Sequence, residues 1–344
     1  MNKKLIALAV AGACVAPAAM AGPVVLYGRV YETLESVNAK SGDGAAEVPR
    51  RTRVSDQASL LGVRGTEDLG GGLKAFFQLE TAFKPDQNDS AFATRNSGVG
   101  LEGGWGSFVM GRWDMPYKVA TFPIDVWGDL TLGGITGVGH DQGNFDRRDQ
   151  NVLQYWSPNF AGFAFKLAAT ANEGKTSGAN PKNPHDTGAN VTYTRGPLYA
   201  FLAYEDHKDP SATVDKEHAW SGGVAYSFGP IKLGGDYEEF KRTLTAGGDA
   251  ADKKSYLASV VWTMGANQLS YQYQHAKTDS SSSPECNSHT IGYKYIFTKR
   301  TFAMAQYTTV DNKNGATCNF GANTLAISPG NDPQGAAIGI QHVF

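Results

Sequence analysis

Strand-like segments along this 344-residue chain are joined by connections that alternate strictly between short and long. The short ones are 68–72, 103–106, 158–162, 195–197, 229–230, 265–266 and 298–300. The long ones are 39–52, 84–94, 113–147, 172–186, 207–217, 242–251, 276–287 and 312–333. Seven short turns and eight long loops separate 16 strands. An even strand count, with tight turns on one rim and long loops on the other, is the plan of an antiparallel transmembrane barrel whose two ends lie on the short-turn side.

The segments are two-faced. Within 267–275, Leu269, Tyr271 and Tyr273 alternate with Ser270, Gln272 and Gln274, a period of two that sends apolar and polar side chains to opposite faces. In 74–83, Ala75, Phe77, Leu79 and Phe83 oppose Lys74, Gln78 and Glu80. In 220–228, Trp220, Val224, Tyr226 and Phe228 alternate with Ser221, Gly223, Ala225 and Ser227, a small second face suited to a lumen. No stretch beyond residue 21 reaches the roughly 18 apolar residues of a membrane helix. A spanning structure must then be a closed barrel, the other way to pair every backbone group in lipid. The 41 glycines, 15 tyrosines and 17 phenylalanines fit, although a water-soluble β-sandwich array shares such numbers. Tyr155, Trp156, Tyr293, Tyr295, Phe297 and Phe344 stand at strand ends, where rings sit at headgroup level; β-propensity alone also favours them.

Lys3 and Lys4, an apolar run over 5–15 and the small-x-small Ala19-Met20-Ala21 predict a cleaved signal peptide over 1–21 and a mature barrel domain over 22–344. Cleavage before Cys14, as in a lipoprotein, is the competing pattern, on a shorter apolar core. Removing the signal lowers Lys+Arg from 31 to 29 against 33 acids, a mature charge of about −4, which excludes a nucleic-acid footprint. No Gly-x-Ser-x-Gly, His-Glu-x-x-His or paired Cys-x-x-Cys motif is present, and Gly70-Gly71-Gly72 reads as a turn. No catalytic residue, metal or cofactor is expected. Cys286 and Cys318 remain as a pair in an oxidising compartment, which predicts a disulfide tying the last two long loops.

Alternation also orients arginines. Placing Leu26, Gly28 and Val30 outward turns Arg29 inward; Leu61 and Val63 outward turn Arg64 inward; Leu153 and Tyr155 outward turn Arg148 inward. The opposite assignment would leave an arginine facing lipid at about 2–4 kcal/mol. The connection 113–147 carries Trp113, Tyr117, Phe122, Trp127 and Phe145, enough apolar surface to pack.

Residues 59–80 (SLLGVRGTEDLGGGLKAFFQLE), Gly111-Arg112, 155–162 (YWSPNFAG), 292–301 (GYKYIFTKRT) and the terminal 339–344 (GIQHVF) resemble the trimeric general porins of Gram-negative bacteria. The resemblance runs over essentially the whole mature chain, in the same order, and weakens in the long loops. It implies an all-β, 16-stranded antiparallel transmembrane barrel with an inward-folded third loop, a homotrimer in outer-membrane lipid, and passive diffusion of small hydrophilic solutes and ions. Arg112 then corresponds to a wall arginine, and Arg29, Arg64, Arg112 and Arg148 face Asp125 and Asp129 across a constriction; four arginines against two or three loop acids predict a mild anion preference that external loop charges could reverse. The two aspartates can equally cap a short helix at the loop tip. Phe344 becomes the residue read by the barrel assembly machinery. Rival readings are a substrate-selective channel of the same fold, a barrel enzyme, and a plugged structural or adhesin barrel.

Overall fold

The computed structural model describes residues 22–344 apart from 23, 88, 129–130, 141–144, 178–180 and 248; the predicted signal segment lies outside them. The wall begins with β1 (Val25–Lys40), β2 in two pieces (Val48–Asp56 and Leu60–Gly70), β3 (Leu73–Lys84), β4 (Ser97–Gly103), β5 (Gly106–Asp114) and β6 (Arg148–Trp156). It continues through β7 (Phe163–Thr170), β8 (His185–Arg195), β9 (Leu198–Lys208), β10 (Val214–Phe228) and β11 (Ile231–Leu244). The last strands are β12 (Asp249–Met264), β13 (Asn267–Thr278), β14 (Glu285–Thr298), β15 (Thr301–Lys313) and β16 (Asp332–Val343). Each strand pairs antiparallel with the next, and β1 pairs with β16 from Arg29↔Val343 to Lys40↔Asp332, so the 16-stranded sheet closes on itself. Closure removes the open edges that lipid would leave unpaired. No described helix is long and apolar enough to cross a membrane.

The expected turns lie where the glycine-rich pairs stand. Four of the long connections are markedly shorter than expected, at 41–47, 209–213, 245–248 and 279–284, because their flanking strands continue further. The faces follow the period-two pattern. Trp220, Val224, Phe228, Leu269 and Tyr271 are exposed on the outer face, while Ser221, Ala225, Ser270, Gln272 and Gln274 are buried on the inner one. At the seam, the Phe344 amide donates to the Gly28 carbonyl at 3.0 Å and the Gly28 amide to the Phe344 carbonyl at 3.1 Å. A Cβ at position 28 would lie 2.4 Å from the Phe344 ring, so glycine is what lets the terminal ring lie against β1.

Candidate functional site

The segment 115–147 between β5 and β6 is held by inner-face side chains. It opens with α1 (Pro116–Thr121), whose proline occupies the first turn, where its missing N–H leaves no helical bond unmade. Tyr117, Ile124, Ile135 and Phe145 then form one buried cluster with Phe201, Ala219, Phe240 and Leu257 from β9 to β12. Backbone groups of the segment are satisfied in turn. Gln272 accepts from the Val126 amide at 3.0 Å and donates to the Gly133 carbonyl at 2.9 Å. Gln274 accepts from the Gly139 amide at 2.8 Å and also donates to Gly133, at 3.0 Å. Ser259, Lys294 and Tyr199 donate to the carbonyls of Ile124, Val126 and Ala120. The Trp127 ring lies over Gly292, where a Cβ would come within 2.4 Å of it.

The last long connection, 314–331, lies over this segment. Gly321 donates to the Leu132 carbonyl at 3.1 Å, and Thr136 donates to the Gly321 carbonyl at 2.8 Å. Cys286, the second residue of β14, is bonded to Cys318 with their Cα atoms 6.2 Å apart. The pair is buried with Val138, Ala276, Val310 and Ala316, so the bridge ties the last connection to the wall beside the tip of 115–147.

Beside α1 lies a cavity of about 410 Å³ whose charged lining is Arg29, Arg95, Arg148 and Lys118 with Glu80, Asp114 and Asp125. Arg95 pairs with Glu80 at 2.7 Å and Arg148 with Asp114 at 2.9 Å. Asn96 links the second pair, accepting from Arg148 Nε at 2.6 Å and donating to Asp114 at 2.9 Å. The Arg29 guanidinium donates to the Ala58 carbonyl at 2.8 Å, and the Lys118 ammonium lies 3.8 Å from Asp146. Each cation is thus held by partners in the wall or in the segment while it still lines the space.

Of the residues expected at a constriction, Arg29, Arg148 and Asp125 come together here. Asp125 is also a backbone acceptor, from the Trp127 amide at 3.2 Å and, at 3.3 Å, from the amide of Ile135, the first residue of a short 3-10 turn over Ile135–Gly137; it lies beyond the end of α1 at Thr121. Asp129 lies outside the described residues. Arg64 and Arg112 are elsewhere. Arg64 pairs across from Val25, four residues along β1 from Arg29, about 13 Å toward the short-turn rim, and its guanidinium lies 5.0 Å from the Tyr27 ring centroid. Arg112 stands at an irregularity between Gly111 and Trp113, which interrupts the alternation, and donates to the Thr94 carbonyl at 2.9 Å. Sequence reasoning missed Arg95, Lys118, Glu80 and Asp114. Glu80 was legible from its polar face; Arg95 and Lys118 lie outside the strands, where no period orients a side chain.

Two further groups depart from their expected places. Trp156, expected in the outer aromatic belt, turns inward and donates its indole N–H to buried Gln154 at 2.9 Å. His140, at the far end of the segment, is fully buried, with Nε2 3.2 Å from Asp236 and Nδ1 3.3 Å from Glu238, both on β11. Burial pushes its pKa down, but Glu238 and Asp236 outweigh burial and hold it up at about 9.

A model of the Gram-negative porin family matches residues 6–315. Outer membrane porin protein 32 of Delftia acidovorans is 31% identical over 356 aligned residues, covering 100% of each chain. An anion-selective porin from Comamonas acidovorans has a similar solved structure, with a TM-score of 0.80 at 28% identity over 94% of this chain and 100% of that one. OmpT of Vibrio cholerae, solved in a trimer form, resembles the fold with a TM-score of 0.69 at 15% identity over 94% and 100% of the two chains. Closed barrel, period-two wall and matched relatives agree: the chain belongs to the Gram-negative porin family, outer-membrane barrels that serve as passive diffusion pores.

Proposed function

We propose that the segment 115–147 folds into the lumen and sets the constriction, with Arg29, Arg95 and Arg148 facing Lys118 and Asp125 of the segment across it. The supporting observation is the cavity of about 410 Å³ in which four cations meet three carboxylates, two of them already paired with arginines. Fixed charges beside a narrow aqueous path act through little screening water, so their balance sets which ions enter. The balance favours anions mildly. The anion selectivity in the description of the Comamonas acidovorans porin is in keeping with this reading.

We further infer a channel without catalysis, working as a homotrimer, as the trimer form of the Vibrio cholerae relative suggests. Phe344 closes the seam and is proposed as the residue that the assembly machinery reads; its deletion should lower outer-membrane levels more than it alters the pore. The test is conductance in planar bilayers. Protein in KCl should open in groups of three equal steps, and a salt gradient should give a reversal potential on the anion side. Silent bilayers would support a plugged barrel instead, and a cation-side potential would overturn the charge assignment.

A further inference from the structure

A second cavity, of about 590 Å³, opens on the other side of α1, toward the short-turn rim. Its lining is anomalous for the water side of a barrel. Trp156, the last residue of β6, has its ring centroid 5.3 Å from that of Trp113 and 6.1 Å from that of Phe76, the latter stacked at 28°. Phe122 closes the space from the segment after α1. Directly across the ladder from Trp156 stands Lys166, whose ammonium lies 5.1 Å from the centre of the Trp156 ring.

The polar groups of this cleft are mostly committed to the protein. Asn96 is bound to Arg148 and Asp114, Asn190 donates to the Pro116 carbonyl, Thr192 to the Ala164 carbonyl and Tyr199 to the Ala120 carbonyl. Lys166 differs. Among the described residues its ammonium has no hydrogen bond and no salt bridge, and the carboxylate whose charge it feels, Asp114, is bound to Arg148. A cation with a ring beneath it and no anion of its own, at the edge of an aromatic-lined cleft of ligand size, fits a flat molecule carrying one negative charge.

We propose that this cleft is a solute subsite for aromatic carboxylates. The ring of the solute stacks on Trp156 and Trp113, and its carboxylate accepts from the Lys166 ammonium. Sugars also stack on indoles, but they need several donors and acceptors, and those of this cleft are already used. The subsite deepens the channel reading given above, on which it rests, by naming a solute class that the pore would hold on its way through.

The experiment uses the trimer in planar bilayers, with benzoate as the probe and acetate, cyclohexanecarboxylate and glucose as comparisons, each variant being normalised to its own step in KCl. Benzoate should lower the KCl current saturably, with a half-saturating concentration about threefold or more below that of cyclohexanecarboxylate, which has the charge and bulk but no π face. Lys166→Gln should raise the half-saturating concentration of benzoate about tenfold, and Lys166→Arg should restore it. Trp156→Leu should erase the difference between benzoate and cyclohexanecarboxylate. A linear response to benzoate like that to acetate, or saturation unchanged by Lys166→Gln, would overturn the proposal. Saturation by glucose without saturation by benzoate would also overturn it and give the cleft to sugars. Absence of any KCl step would instead remove the channel reading itself.

Discussion

The inner face of the barrel does two different jobs on its two sides. Between β1 and β6 it presents charged side chains to a cavity: Arg29, Glu80, Asp114 and Arg148 all line it, with Arg95 just before β4. Between β9 and β14 it presents side chains to protein: Ser259, Gln272, Gln274 and Lys294 are spent on the backbone of 115–147, and Asp236 and Glu238 on His140. The chemistry explains the division. A packed loop backbone offers both N–H and C=O groups that must be satisfied, and a glutamine supplies an acceptor and donors from one side chain. An arginine supplies donors alone, and buried without an anion it would be costly. Neutral amides therefore serve much of the loop backbone, lysines reach only its carbonyls, and arginines remain where water and carboxylates can reach them.

The largest expected effect comes from breaking the neutral side. The double substitution Gln272→Leu with Gln274→Leu leaves the amides of Val126 and Gly139 and the carbonyl of Gly133 without these partners, at roughly 1–3 kcal/mol for each buried group. The segment should come loose: single-channel current should become several-fold noisier, with a larger mean conductance. If noise and conductance stay at the parental level, the glutamines are not what holds the loop.

Breaking the charged side should change selectivity more than it changes loop noise. Arg148→Ala removes the partner of Asp114 and one cation from the cavity, so the reversal potential in a KCl gradient should move toward cations. Asp125→Asn should move it toward anions; the amide keeps an oxygen that can accept from Trp127, so noise should rise less than with Asp125→Ala. A common shift for all three variants would dissolve the distinction between the two sides.

The pH dependence sharpens the comparison, because the loop side carries its own titrating anchor. His140 has its pKa raised from 6.5 to about 9 by Glu238 and Asp236, against the effect of burial. Protonated His140 thus stabilises the packed segment fully below pH 6.5, and that contribution is lost as the pH rises through about 9. Neighbouring Asp146 adds negative charge, and Tyr117, hydrogen-bonded to Glu238 at 2.6 Å, stays neutral because burial raises its own pKa. Channel noise should grow between pH 6.5 and 9.5, while His140→Gln should flatten the curve. The smallest effect is expected from Arg64→Ala. That arginine is exposed, toward the short-turn rim, and at 1 M salt charges are screened within about 3 Å, so selectivity should hardly move.

The comparison also explains what could be read in advance. Sixteen strands, their order and their faces were legible because in a barrel wall the period of two couples each residue directly to lipid or lumen. Arg29 and Arg148 were placed inward on that ground alone, and both line the cavity. Arg112, placed by the resemblance and not by alternation, stands at an irregularity in β5 and does not line this cavity. Trp156 failed at a strand end, where an aromatic side chain suits either face. The neutral run Ser270, Gln272, Gln274 on β13, with Gly292 on β14, was a visible sign that something packs there, although small polar residues suit open water as well.

What the sequence determined by itself is the barrel: alternation, turn chemistry and the lack of a long apolar run leave a closed antiparallel wall as the way to satisfy every backbone group in a membrane. What only the tertiary structure decided is the interior. The course of 115–147, the meeting of Arg95 and Lys118 with Arg29 and Arg148, the His140 anchor and the cleft beside Trp156 all join residues far apart in the chain. A loop has no repeat to orient its side chains, so its contacts are set by shape and hydrogen bonding against strands that lie more than 150 residues away, as Lys294 does from Val126 at a separation of 168.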